Sequence, residues 1–222
     1  MAGACEFRRA RRPEQIEARR ASILEAAEAI LAERPLAVIT LRELAGRVGL
    51  AKSNVLRYFG SREAILLEVL DRRWRDWLDD LAPALRAATP EPVPYGRAVA
   101  VATTVARSLL ARPLLCELLS AMPTTLEHNI TLAYARDFKA RAAAHSARLR
   151  DLVLAELPQL GRDGAARFAG AVVVITGGLW PHTRPSPAVA RACAELGHPP
   201  VEPAALVEGL VDQLIGLCVR LS

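Results

Sequence analysis

LAGRVGLAKSNVLRYFGSRE, Leu44 to Glu63, holds two short amphipathic segments on either side of Gly49. Two helices joined by a tight turn make three demands on a sequence. They need a small residue where they cross, a glycine where the chain turns left-handed, and apolar side chains that lock the second helix onto the first. Ala45, Gly49 and the set Leu44, Val48, Leu50 and Val55 answer them in turn. The second helix then runs over about Lys52 to Phe59 and buries Val55 and Phe59. Its other face offers Lys52, Ser53, Asn54 and Arg57, with Leu56 and Tyr58 on the flanks. Asn bonds adenine and Arg bonds guanine in a bidentate way, while Ser, Lys and Tyr hold phosphates. The plain alternative is a set of solvated polar residues on a bundle. Spacing, turn glycine and the local charge together favour a helix that reads a DNA groove.

Working outward, Thr40-Leu-Arg-Glu43 fits a capping box in which the Thr oxygen and the Glu carboxylate satisfy free backbone N–H groups. Before it, Ile16, Ile23, Leu24, Ala27, Ile30 and Leu31 mark one stripe of a helix ending near Arg34-Pro35. After it, Gly60 stops the second helix, and Ser61 caps a fourth reaching about Ala87. On that fourth helix Glu68–Arg72, Arg72–Asp76 and Arg75–Asp79 are i,i+4 pairs, expected on a solvated face. Thr89 to Pro94, TPEPVP, is a breaker and the candidate change of subregion. Further helices are predicted at about Tyr95–Ala111, Pro113–Ala121, Thr124–Leu157, Asp163–Trp180 and Pro203–Leu221. A long connection between Pro181 and Pro200 has room for a short one. No period-two strand pattern persists, so the fold class is all-α.

The chain has 222 residues, 52% hydrophobic and 24% charged, within the range of globular proteins. Its net charge of +5 is unevenly placed. Residues 1–62 hold 12 Lys and Arg against 7 Asp and Glu, whereas residues 63–222 hold 17 of each. A basic end on a neutral body is the charge plan of a nucleic-acid-binding module joined to something else. Phe7 to Arg12, FRRARR, reads either as an arm reaching a minor groove or as a solvated tail. Cys5, Cys116, Cys193 and Cys218 have no CxxC spacing and read as free thiols of a reducing cytoplasm. The nearly uncharged run Phe168 to Trp180 is too short to span a membrane, and the N-terminus lacks the apolar core of a secretory signal. His128, His145, His182 and His198 lack metal-ligand spacing, and no hydrolase, P-loop or dinucleotide motif occurs. Neither an enzyme nor a cofactor or metal is therefore expected.

ILEAAEAILAERPLAVITLRELAGRVGLAKSNVLRYFGSREAILLEVL, in the region of about Arg20 to Leu70, resembles the DNA-binding domain of tetracycline-repressor (TetR) family transcriptional regulators. The resemblance implies a three-helix helix-turn-helix head over 13–62, with its motif at about 40–59 and the basic arm 1–12 before it. It implies a helical ligand-binding and dimerisation body over 63–222. Carried over by position, Thr40, Arg42, Lys52, Ser53, Asn54, Arg57, Tyr58 and Arg62 fall where family members touch DNA. Leu56 departs from the pattern, because a phosphate-contacting Tyr is common there. It touches a thymine methyl, a sugar or nothing.

In the body, broad apolar faces recur: Phe138, Ala142, His145, Leu149 and Leu152; then Phe168, Val172, Ile175 and Leu179; then Leu206, Leu210, Leu214, Leu217 and Leu221. The family pairs its last two helices across a two-fold axis. This places Val172, Ile175, Leu179, Leu210, Leu214 and Leu217 at a homodimer interface, with a palindromic operator as partner. Trp74, Trp77, Met122, His128, Tyr134, Phe138, His145 and Trp180 are candidate lining residues for a small, largely apolar effector, although each serves equally as core packing. No cluster of charges marks an ionic ligand. The expected function is a DNA-binding regulator, with repression the commoner outcome in the family. The alternative is a helical protein-interaction module with a basic face and no effector.

Overall fold

A computed structural model describes residues 13–220, and the basic arm 1–12 and Leu221 lie outside it. Ten α-helices make up the described fold: α1 (Pro13–Glu33), α2 (Leu41–Arg47), α3 (Lys52–Phe59), α4 (Arg62–Ala87), α5 (Gly96–Leu110), α6 (Pro113–Ala121), α7 (Leu132–Glu156), α8 (Gly161–Leu179), α9 (Pro187–Glu195) and α10 (Ala205–Val219). No strand occurs among the described residues. The chain divides into two compact units, Met1–Val69 and Leu70–Ser222. The division falls inside α4, not at the proline-rich TPEPVP segment.

In the first unit, α1 turns Ile23, Leu24, Ala27, Ile30 and Leu31 inward. They meet Leu44 and Ala45 of α2 and Val55 and Phe59 of α3 in one apolar core. Thr40 caps α2, its hydroxyl accepting from the Glu43 N–H at 3.2 Å. The second half of the expected capping box is replaced, because the Glu43 carboxylate pairs with Arg34 at 3.1 Å. Ser61 caps α4 as expected, accepting from the Ala64 N–H at 3.0 Å.

In the second unit, α8 packs against α6, α7 and α10, and α10 also packs along α5. The helix expected at Thr124–Leu157 begins later, at Leu132, where Thr131 turns extended and its hydroxyl accepts from the Tyr134 N–H. Ahead of that break, Met122–Leu126 forms one wide π-type turn around Pro123. The long connection does hold a short helix, α9, none of whose residues is buried. Pro158–Thr183 forms a helical run of 26 residues, long and apolar enough by length and composition to cross a membrane. This run is longer than Phe168 to Trp180. Its apolar character serves packing inside the unit, where Ala165, Phe168, Ala169, Val172 and Thr176 are buried.

Candidate nucleic-acid interface

The α2–α3 turn is fixed by its backbone. Gly49 has φ 64°, and the Leu50 N–H reaches the Ala45 carbonyl at 2.9 Å while the Gly49 N–H reaches Gly46 at 3.2 Å. That pair of bonds is a Schellman cap, which closes α2 and reverses the chain within three residues. A side chain at Gly49 would meet nothing within 4 Å, so the glycine is required for its backbone angle and not for space. Gly60, φ 79°, ends α3 with a positive φ as well.

Val55 and Phe59 anchor α3 to the core, as their spacing predicts. The opposite face leaves Lys52, Ser53 and Arg57 exposed, with Asn54, Leu56 and Tyr58 half-buried. Arg42 of α2 is exposed beside them in sequence, and Thr40 is exposed with its hydroxyl oxygen used as the cap. The side chains of Arg42, Lys52, Ser53, Asn54 and Arg57 take no partner among the described residues. Arg20, Arg34, Arg47 and Arg62 of the head are committed internally, while Arg19 on α1 is exposed without a partner among the described residues. Arg34 pairs with Glu43, Arg47 pairs with Glu33 at 2.6 Å, and Arg20 donates to the Tyr58 carbonyl. Arg62 also works internally: Nη2 donates to the Leu36 carbonyl at 2.6 Å and Nη1 lies 3.3 Å from Glu63. Its guanidinium ties the turn after α1 to the start of α4.

The body candidates fall into separate settings. Trp74 stacks on His145 with ring centroids 5.5 Å apart, and His145 Nε2 donates to Asp71 at 2.9 Å. Arg75 and Arg141 meet the same carboxylate at 2.9 and 3.2 Å, and the Arg141 guanidinium lies 6.0 Å from the Phe138 ring centroid. Trp74, Phe138 and His145 thus surround a buried ion cluster that the sequence reading did not foresee. Burial alone raises the Asp71 carboxyl. The hydrogen bond from His145 and the charges of Arg141, His145 and Arg75 outweigh it and hold the carboxyl below its ordinary value. The expected Arg75–Asp79 pair on α4 is not formed: Arg75 turns back to Asp71, and Asp79 pairs with Arg148 at 2.6 Å.

Trp77 is buried and donates its indole N–H to Ser108 at 2.8 Å. Met122 and Tyr134 are half-buried, and His128 is exposed. Trp180 lies under the Arg184 guanidinium at 4.5 Å. Cys116 and Cys218 are buried thiols outside any disulfide, the former pushed up to about 12 by burial.

The residues expected at a homodimer interface differ in their burial within the single chain. Val172, Leu210, Leu214 and Leu217 are buried within their own subunit, so they are not open to a second copy. Ile175 and Leu179 are half-buried. The exposed residues of α8 include Arg162, Asp163, Ala166 and Arg167 in its first half and Gly170, Val174 and Gly178 in its second, and those of α10 include Glu208, Asp212 and Val219. Both helices are apolar on two sides, and period alone does not say which side faces the subunit's own core.

Two family models cover most of the chain. "Bacterial regulatory proteins, tetR family" matches residues 23–69, and "Tetracyclin repressor-like, C-terminal domain" matches residues 71–214. A comparison with curated proteins gives no match. Among solved structures, a TetR transcriptional regulator from Rhodococcus sp. RHA1 is similar at TM-score 0.55 and 18% identity, covering 93% of this chain and 98% of the other. A second transcriptional regulator from Rhodococcus gives 0.53 and 18%, over 90% and 96%. The fatty acid degradation regulator FadR from Bacillus halodurans gives 0.53 and 14%, over 88% and 97%. At these identities the solved structures speak for the fold alone. With the helix-turn-helix built by α2 and α3 and both family models in place, this chain belongs to the TetR family of DNA-binding transcriptional regulators.

Proposed function

We propose that the protein is a homodimeric repressor that binds a palindromic operator through α3 and leaves it when a small, largely apolar effector binds the body. One observation carries the DNA reading. Among the described residues, the side chains of Arg42, Lys52, Ser53, Asn54 and Arg57 have no partner, whereas the neighbouring Arg34, Arg47 and Arg62 are spent on internal contacts. Asn54 and Arg57 suit base edges, and Lys52, Ser53, Thr40 and Tyr58 suit phosphates. Arg62 is left out of this set because its guanidinium is held by Leu36 and Glu63.

Arg57→Ala is expected to weaken binding to a preferred duplex by about 1–3 kcal/mol and to relax sequence preference at one position. Fluorescence anisotropy on the preferred and scrambled duplexes measures both. An equal loss on every sequence would make Arg57 a phosphate contact instead.

For the dimer, the outward face of α8 and α10 is the proposed contact. Val174 is 74% exposed in the single chain and Val219 is 53% exposed. Gly170 and Gly178 flank Val174 one turn away on either side, so a second backbone has room to approach. Gly209 already permits such an approach within the subunit, where its added Cβ would lie 3.6 Å from Ile175. Val174→Glu is expected to give monomers by sedimentation with helix content unchanged. A dimer of unchanged affinity would exclude this face.

The effector reading rests on the body's core, which is built from Leu, Ala, Val, Phe and Trp, and on the Asp71 charge being matched internally. Binding would favour one of two body conformations, and α4, which belongs to both units, is the element through which it would act. Compounds that release the protein from its preferred duplex identify the effector. An interaction module without an effector would be released by none of them and would show no duplex preference.

A further inference from the structure

We infer that Arg20 of α1 is a positioning residue for DNA recognition, one that sets the orientation of α3 from behind. The inference rests on α3 being the reading helix. At eight residues α3 is too short to hold its own geometry, and its last carbonyls lack intrahelical donors. Gly60 supplies one, its N–H reaching Leu56 at 2.7 Å. Arg20 supplies another, donating from Nη1 to the Tyr58 carbonyl at 2.5 Å. A cation at a helix C-terminus also complements the helix dipole. The same guanidinium lies 4.3 Å from the centroid of the Phe59 ring, the buried anchor of α3. Its Nη2 is 3.9 Å from Glu68 of α4.

One side chain therefore ties the carbonyl end of α3, the ring that anchors α3, and the helix that follows. Only a planar guanidinium stacks on a ring while aiming N–H groups sideways at a carbonyl and a carboxylate. Tyr58 and Phe59 follow Arg57 directly in sequence, so fixing their backbone fixes the direction in which Arg57 leaves the helix. A small rotation of α3 would carry Asn54 and Arg57 away from bonding distance to base edges, and bidentate contacts tolerate little misalignment.

The test uses the full-length protein and the duplex it enriches from a random pool, beside a scrambled duplex. Arg20→Met should lower affinity for the enriched duplex about tenfold, as expected for loss of one charge-assisted bond, and change the scrambled duplex far less. The slope of log affinity against log salt should stay the same, because no phosphate contact is lost. Arg20→Lys keeps the charge but loses the stacked fork, and should bind the enriched duplex several-fold more weakly. If Arg20→Met does not fold, the lysine variant carries the test alone. Wild-type affinity in the lysine variant, a salt slope reduced by about one, or an equal loss on both duplexes overturns the inference. Arg57→Ala is measured in parallel. If it too leaves preference intact, the reading of α3 fails; if it alone has an effect, only the role of Arg20 fails.

Discussion

Gly49→Val is expected to abolish preferential duplex binding, with a loss of more than a hundredfold, while the second unit keeps its helices. The glycine sits at φ 64° in the Schellman cap that reverses the chain between α2 and α3. A β-branched residue there is a backbone outlier, costing about 1–3 kcal/mol if held in place. Nothing lies within 4 Å of the added Cβ, so crowding does not contribute. The seven-residue α2 and eight-residue α3 have little stability of their own. The chain relieves the strain most cheaply by opening the turn, which releases α3 from the core. Gly49→Asn tolerates the left-handed region better and should retain most binding. Circular dichroism and anisotropy on both variants separate strain from misfolding. Full binding by the valine variant would show that the turn does not set the position of α3.

Asp71→Ala is expected to lower stability of the second unit by about 2–3 kcal/mol. Removing one member of a buried ion cluster leaves its partners uncompensated, at up to about 5 kcal/mol. The figure is reduced here because Arg75 is more than half exposed and recovers water. The same group gives stability a pH dependence of definite sign. The folded carboxyl titrates below its unfolded value. Its contribution is therefore fully present above the unfolded value, about 3.9, and is lost as pH falls through the lowered folded value. The stability gap between wild type and Asp71→Asn should shrink as pH falls below about 3.9, the range in which the carboxyl titrates. A gap that widened over that range in denaturant titrations would contradict this account.

The head was legible because its signals are local. The α3 bounds, the Thr40 and Ser61 caps, the turn glycine and the anchors Val55 and Phe59 all follow from spacing within about 20 residues. What escaped reading is long-range. Asp71 and His145 are 74 positions apart, and Arg20 and Tyr58 are 38 apart. A sequence signal existed for both missed residues. Arg20 lies on the stripe of Leu24, Ala27 and Leu31, and Asp71 on that of Leu67, Trp74 and Leu78. A charge on an otherwise buried stripe needs a partner, although the stripe does not name it. On α4 the i,i+4 spacing does not choose among pairs: Arg75 takes Asp71 one turn before it, and Asp79 takes the distant Arg148. The dimer residues are a different case. Leucine periodicity on α10 marks the subunit's own core, and the outward face carries the weaker pattern of Asp212 and Val219.

Selection of bound duplexes from random DNA, run with wild type and with Arg57→Ala, tests most directly whether α3 reads sequence. The expected result for wild type is a palindrome whose half-site centres lie about 34–36 Å apart, one helical turn. Arg57→Ala should enrich the same palindrome with one position per half-site relaxed. Wild-type enrichment of no sequence, or enrichment that Arg57→Ala leaves untouched at every position, would contradict the account.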